Sequence, residues 1–279
     1  MRRDDRVCDV SEGSSEIEAI ESQWTRIWED MGGPKGVTDR IFRRDEYKIM
    51  WPYIERMPKG SRLLDGGCGM GEWVLHLTQA GYPTRGLDIS KITIGKLREK
   101  FPAMDFEVGD IRATGVPDNS FEGYFSWGTF EHFEEGFERV VAEAFRVLSP
   151  GGILFVSTPF DNLRHSVKAV LGAGYRLPPQ NNPTRFYQWR LTRGELATIL
   201  ARHGFEVIDV NIIHKREGTV RWLQNILGIN PSKRVSRVIG AAFALMIPAT
   251  VVGHMILAIA RKPSQNAAKP PLLATPADR

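Results

Sequence analysis

Leu63-Leu64-Asp65-Gly66-Gly67-Cys68-Gly69-Met70-Gly71-Glu72-Trp73 decides the fold of this chain of 279 residues. Two leucines and an acid read as a buried strand, the glycines that follow as a tight turn, and Glu72-Trp73 as the start of a helix. Glycine reaches positive φ at little steric cost and lets the backbone approach a ligand closely. Outward from this turn, short apolar strands alternate with amphipathic helices, the pattern of a parallel sheet covered on both faces. Strands are predicted at 62–65, 84–88, 105–108, 121–127, 152–158 and 205–211. Helices are predicted near 72–79, 92–99, 137–148 and 192–203.

Upstream, residues 1–15 are polar and read as frayed, whereas Ile17, Ile20, Trp24, Ile27, Trp28 and Met31 recur at helical spacing. A second helical stretch runs through Ile41, Phe42, Tyr47, Ile49, Met50 and Ile54 before Pro58 and Gly60 stop it. Residues 1–60 are therefore expected as a helical cap on a core at 61–214. The stretch 159–190 holds Arg164, His165, Arg176, Arg185, Phe186, Tyr187 and Trp189, and its length suits a lid over a pocket.

The net charge of +4 is too mild and too evenly spread for a nucleic-acid surface, which needs a dense basic stripe. With only Cys8 and Cys68, neither a disulfide framework nor a multi-cysteine zinc site can be built, and a reducing cytoplasm is the expected location. Met1 to Val10 mixes acids and arginines with no apolar run behind it, so no secretory signal is read there.

Two more acids stand where an open α/β sheet binds its ligand, at the carboxyl ends of successive strands. Asp88 closes the second strand, placed to accept hydrogen bonds from ribose hydroxyls; Asp110 closes the third, placed to accept from an adenine amine. The ligand's charge then separates two candidates. A dinucleotide fingerprint wants glycine where this chain has Glu72, an anion at the helix N-terminus where a pyrophosphate would sit. S-adenosylmethionine has no phosphate and carries a sulfonium and an ammonium, which suit an edge lined by Asp65 and Glu72.

Leu64-Asp65-Gly66-Gly67-Cys68-Gly69-Met70-Gly71 resembles the first motif of class I S-adenosylmethionine-dependent methyltransferases, and later blocks follow in family order. Phe121 to Phe133 is similar to the fourth strand with its Glu-His ending, and Arg146 to Leu154 to the turn before the fifth. The resemblance implies a Rossmann-like sheet of seven strands, mostly parallel with the last antiparallel. It implies a cofactor site in which Asp65, Gly66, Gly67 and Gly69 flank the methionine part. Asp88 takes the ribose, Asp110 with Ile111 the adenine, and Ile89, Ser126 and Trp127 complete the set.

His132 and Glu131 are the catalytic candidates, because they follow the fourth strand where the methyl group should emerge. A base there helps most when the acceptor is a hydroxyl, which makes O-methylation of a small molecule the leading reading. Some ubiquinone-pathway O-methyltransferases hold a metal with E-x-x-E-H at this point; here Gly128 replaces the first acid, and no metal is expected. Tyr47, His165, Arg185, Tyr187 and Trp189 are candidates for acceptor contacts. A nucleobase aminomethyltransferase would show D/N-P-P-Y/F where this chain has Ser126-Trp127-Gly128-Thr129.

The apolar run 238–260 is long enough to cross a bilayer, but Gly240, Pro248, Gly253 and His254 interrupt it. The family still requires a closing strand, and His254 to Lys262 resembles it. Residues 253–262 are assigned to that strand, 215–252 to a basic and apolar helical insertion able to rest on an anionic membrane, and 263–279 to a disordered tail. A non-catalytic or membrane-peripheral cofactor-binding protein of the same fold stays open, and a nicotinamide oxidoreductase is disfavoured by Glu72.

Overall fold

The computed structural model describes residues 1–7, 16–163, 184–227 and 243–264. Nine strands are described: β1 (Arg2–Val7), β2 (Leu63–Gly66), β3 (Thr84–Asp88), β4 (Asp105–Val108), β5 (Phe121–Trp127), β6 (Leu148–Pro159), β7 (Thr184–Arg190), β8 (Glu206–Ile213) and β9 (Met255–Arg261). Helices are α1 (Glu16–Asp30), α2 (Asp45–Ile54), α3 (Glu72–Gln79), α4 (Lys91–Lys100), α5 (Glu138–Val147), α6 (Arg193–Arg202) and α7 (Lys215–Leu227). A single helical turn at Ala249–Val252 precedes β9.

Seven strands form the central sheet in the order β4-β3-β2-β5-β6-β9-β8. β2 through β6 pair in parallel, and β9 runs antiparallel between β6 and β8, with Phe155 opposite Ile259 and Asn211 opposite Leu257. The order reverses between β2, which neighbours β3, and β5, so a crevice opens beyond their carboxyl ends. β2 is buried at every position and β9 at five consecutive ones, as expected of strands covered on both faces.

One side of the sheet packs Tyr124, Leu154, Val156 and Ala258 against Val140, Val141 and Ala144 of α5 and Leu196 and Leu200 of α6. The other side packs Phe125, Phe155 and Leu257 against Met50 and Ile54 of α2 and Trp73 and Leu77 of α3. Local chemistry agrees with these ends. Ser90 caps α4 by accepting from Thr93 N–H, and Thr192 and Glu195 form a reciprocal capping box on α6.

Two expectations are corrected. The polar N-terminus is not wholly frayed, since β1 pairs antiparallel with β7 in a separate two-stranded sheet with Arg2 opposite Arg190. Its ladder satisfies backbone groups that periodicity alone did not show needed a partner. The second N-terminal helix is also broken: Ile41–Arg43 is a 3-10 turn, and extended Arg44 precedes α2. Among the described residues no helix is long and apolar enough to cross a membrane. Of the disordered tail expected at 263–279, residues 265–279 lie outside the described residues.

Candidate functional site

A cavity of about 370 Å³ opens beyond the carboxyl ends of β2 to β5. Its floor is the glycine turn after β2. The N–H groups of Gly67 and Cys68 both donate to the carbonyl of Leu87, at 2.8 and 3.0 Å, which ties the turn to β3. Gly67 has φ of +81° and Gly69 of +49°. A β-carbon on Gly67 would collide with the Thr129 side chain, and one on Gly69 would lie 2.8 Å from the Trp28 ring. Glycine is thus required by both the backbone angle and the close approach.

Asp65 ends β2 on the cavity wall at 1% exposure, and neither carboxylate oxygen has a hydrogen-bond partner. Burial, helped by the nearby Asp88 charge, holds its pKa well above the usual carboxylate range. Asp88, also buried, accepts from Gly69 N–H at 2.8 Å and from Ser90 N–H at 2.9 Å. Its pKa is raised by burial and partly restored by those amides. Each of its oxygens retains a second lone pair for a ligand.

Asp110 lines the cavity and is held by Arg112, whose Nη2 and Nε lie 2.8 and 3.1 Å from Oδ2. Ile89 and Ile111 give the same region apolar walls. Glu72 does not extend the acidic edge as expected. Its carboxylate accepts from Arg44 Nη2 at 2.5 Å and Thr38 Oγ1 at 2.8 Å, so its charge is neutralised by the segment before α2.

His132 and Glu131 sit in a 3-10 turn after β5, both buried. His132 Nδ1 lies 2.7 Å from the Tyr187 carbonyl oxygen, which can only accept. Nδ1 therefore carries the hydrogen, and in the neutral ring the lone pair is on Nε2. Glu131 Oε1 is 4.0 Å from that nitrogen. Burial pushes the Glu131 carboxyl up to about 8, its own backbone N–H and the Arg190 charge offsetting part of the effect.

The remaining candidates divide. Trp127 is on the cavity wall and its indole N–H has no partner. Ser126 is buried beneath the wall, its hydroxyl donating to the Gly66 carbonyl at 2.5 Å, and Gly66 itself packs against Tyr124. Tyr47 does not wall the cavity: it stacks on Trp51 and Trp73 in the core against α3. Tyr187 meets His132 edge to face at 5.2 Å, and Trp189 donates to the Phe133 carbonyl at 3.0 Å. These two β7 residues brace the His132 turn from behind, while His165 and the Arg185 side chain lie outside the described residues.

Sequence reasoning missed the other wall. Ile20, Trp24, Trp28 and Met31 of α1, with Lys35 and Arg40 beyond it, line the same cavity, with Trp28 against Gly69. The helical stripe was visible, but its target was not. Thr25 Oγ1, 2.6 Å from Ser90 Oγ, fixes α1 beside the Asp88 loop.

Residues 64–156 match the family model described as a methyltransferase domain. A probable S-adenosylmethionine-dependent methyltransferase of Mycolicibacterium smegmatis is 30% identical over 168 residues, covering 60% of each chain. A ubiquinone biosynthesis O-methyltransferase of Nitrosococcus oceani is 27% identical over 213 residues, 75% of this chain and 88% of that one. Among solved structures, a putative sarcosine dimethylglycine methyltransferase from Galdieria sulphuraria superposes with a TM-score of 0.56 at 16% identity, over 87% of this chain and 98% of that one. The match therefore spans well under the full length of the mycobacterial relative, and the structural likeness is one of fold.

Proposed function

We propose that this chain, whose residues 64–156 are a methyltransferase domain, transfers a methyl group from S-adenosylmethionine to a small-molecule hydroxyl. The observation that carries the reading is Asp65. A buried carboxylate with no hydrogen-bond partner is an expensive feature, destabilising by roughly 1–3 kcal/mol or more, and it persists where a cation comes to meet it. The ammonium and sulfonium of S-adenosylmethionine supply that cation, and the donor set fits the rest of the molecule. Asp88 would hold the ribose hydroxyls through its spare lone pairs, Ile89 and Ile111 the faces of the adenine, and Asp110 its exocyclic amine.

When bound, the cofactor supplies a methyl carbon already activated by its sulfonium leaving group, so holding the acceptor in line provides much of the acceleration. His132 Nε2 would take the proton of the acceptor hydroxyl as that oxygen receives the methyl group. Tyr187 fixes the tautomer that makes Nε2 the base. Glu131, held neutral by burial at pH 7, is a positioning residue beside that ring, and the base is His132.

The test is calorimetric titration of the purified protein with S-adenosylmethionine and with NAD, followed by incubation with methyl-labelled cofactor and a metabolite extract. Binding of the first alone and label transfer to a base-stable ether product support the reading. Failure to bind at millimolar cofactor refutes it, and binding without any labelled product favours the non-catalytic alternative.

We also infer peripheral contact with an anionic membrane through residues 215–252, supported by the exposure of Leu245 and Met246 at 87% and 82% and by Lys215, Arg216 and Arg221 in α7. Co-sedimentation with phosphatidylglycerol vesicles that is lost in L245E/M246E would support it; equal sedimentation of the two would exclude it.

A further inference from the structure

The cavity has two walls of different origin. Residues 65–72, 88–89, 109–111 and 127–133 are the ends of the sheet strands, almost all within the matched methyltransferase domain. The facing wall comes from a contiguous stretch, Ile20 to Arg44, that precedes this domain. The first wall belongs to the matched domain; the second lies outside it, and acceptor selectivity can be written there.

That second wall is aromatic at one end and cationic at the other. Trp24 and Trp28 stack with centroids 5.3 Å apart and planes at 27°, and Trp24 meets the His132 ring at 5.0 Å, nearly perpendicular. An indole ring therefore stands next to the proposed base. The Trp28 indole N–H is buried and without an acceptor, although its ring is pressed on the Gly69 backbone. Further along, Lys35 and Arg40 line the same cavity, and neither has an ion-pair partner among the described residues, in contrast to Arg44, which is neutralised by Glu72. Two uncompensated cations beside an indole slot form a recognition surface for a flat ring bearing negative charge.

From this we infer, resting on the methyltransferase reading above, that the acceptor is an aromatic hydroxy acid: its ring lies against Trp24 beside His132 and its anionic group reaches Lys35 and Arg40. Trp24 is the specificity-determining residue for the ring, and the two cations select the charge. A hydroxyl on that ring is delivered to His132 Nε2, whereas a saturated or uncharged analogue forfeits one of the two contacts.

The experiment is titration of the full chain, preloaded with S-adenosylhomocysteine, with three probes: 3,4-dihydroxybenzoate, 4-methylcatechol, and 3,4-dihydroxycyclohexanecarboxylate. The first is expected to bind tightest, with the uncharged ring about fivefold weaker and the saturated acid about tenfold weaker. Trp24→Ala should weaken 3,4-dihydroxybenzoate about tenfold, Trp24→Phe should restore most of it, and K35A/R40A should abolish the advantage of the acid over 4-methylcatechol. In every variant S-adenosylhomocysteine affinity should stay within about twofold of the parent.

Equal binding of the aromatic and saturated acids, or no probe binding to a chain that does bind S-adenosylhomocysteine, overturns this inference alone. So does a matching loss of S-adenosylhomocysteine affinity in the variants, because the wall would then belong to the cofactor. If the parent chain does not bind S-adenosylhomocysteine at all, the methyltransferase reading falls and takes this one with it.

Discussion

Glu131→Gln isolates the most unusual ionisation in the site. The carboxyl is 2% exposed, its Oε2 has no partner, and its pKa rises from 4.5 to about 8 on folding. A raised folded-state pKa means that the folded protein holds the proton more tightly than the unfolded chain. This contribution to stability is fully present below pH 4.5 and is lost as pH climbs toward 8. At about 1.4 kcal/mol per pH unit, ionisation favours the unfolded chain by about 3 kcal/mol at pH 7 and by nearly 5 above pH 8. Glutamine does not titrate, so the variant lacks this dependence. Urea unfolding followed by circular dichroism at pH 5, 6, 7 and 8 should show the stability difference, variant minus parent, growing by about 3 kcal/mol across the series. Fixed effects of the amide shift all points alike and leave the slope untouched. Parallel curves would refute a neutral Glu131 at pH 7 and, with it, the assignment of the base to His132 alone.

Asp65→Asn should move two observables in opposite directions: the unfolding midpoint rises, because a buried and unpartnered charge is removed, while S-adenosylmethionine affinity falls about tenfold or more in calorimetry. His132→Ala should leave that affinity unchanged and lower label transfer to a hydroxyl acceptor by about 100-fold or more in single-turnover assays. The His214–Glu46 pair, 2.9 Å apart, anchors α2 to the end of β8. The Glu46 pKa is lowered by His214 against its own burial, and the His214 pKa is raised by Glu46 against burial. Glu46 thus stabilises above its unfolded value of 4.5 and loses that contribution as pH falls below it, while His214 stabilises below 6.5 and loses its contribution as pH rises beyond its raised value. His214→Gln should accordingly cost most stability between these limits, read as a thermal midpoint across pH 4 to 8. Gly69→Ala should destabilise by about 1–3 kcal/mol and weaken cofactor binding, since the new methyl meets Trp28 at a positive φ; unchanged unfolding would show that α1 yields easily.

Much of the central sheet could be read from the chain, since strands covered on both faces must be apolar along their length and the glycine turn has few conformational alternatives. Asp65 and Asp88 were placed within and at the end of β2 and β3, and Asp110 falls two residues beyond β4, as the strand-and-turn alternation of the chain led one to expect. Ser126 was misread because period-two alternation shows that a residue changes face without showing that this face meets Gly66. Tyr47 was misread because an aromatic at helical spacing packs equally well on a cavity or on Trp51 and Trp73.

The sequence alone determined a doubly covered α/β sheet, acids and glycines at the strand ends around its switch point, and a histidine placed after the fourth core strand. Only the tertiary structure decided that Glu72 is silenced by Arg44, that β1 and β7 brace the His132 turn, and that α1 closes the cavity with Trp24 and Trp28. The division has a physical cause. Local pattern specifies which faces are apolar and where the chain must turn, whereas the partner of each face is chosen by long-range docking, which periodicity does not encode.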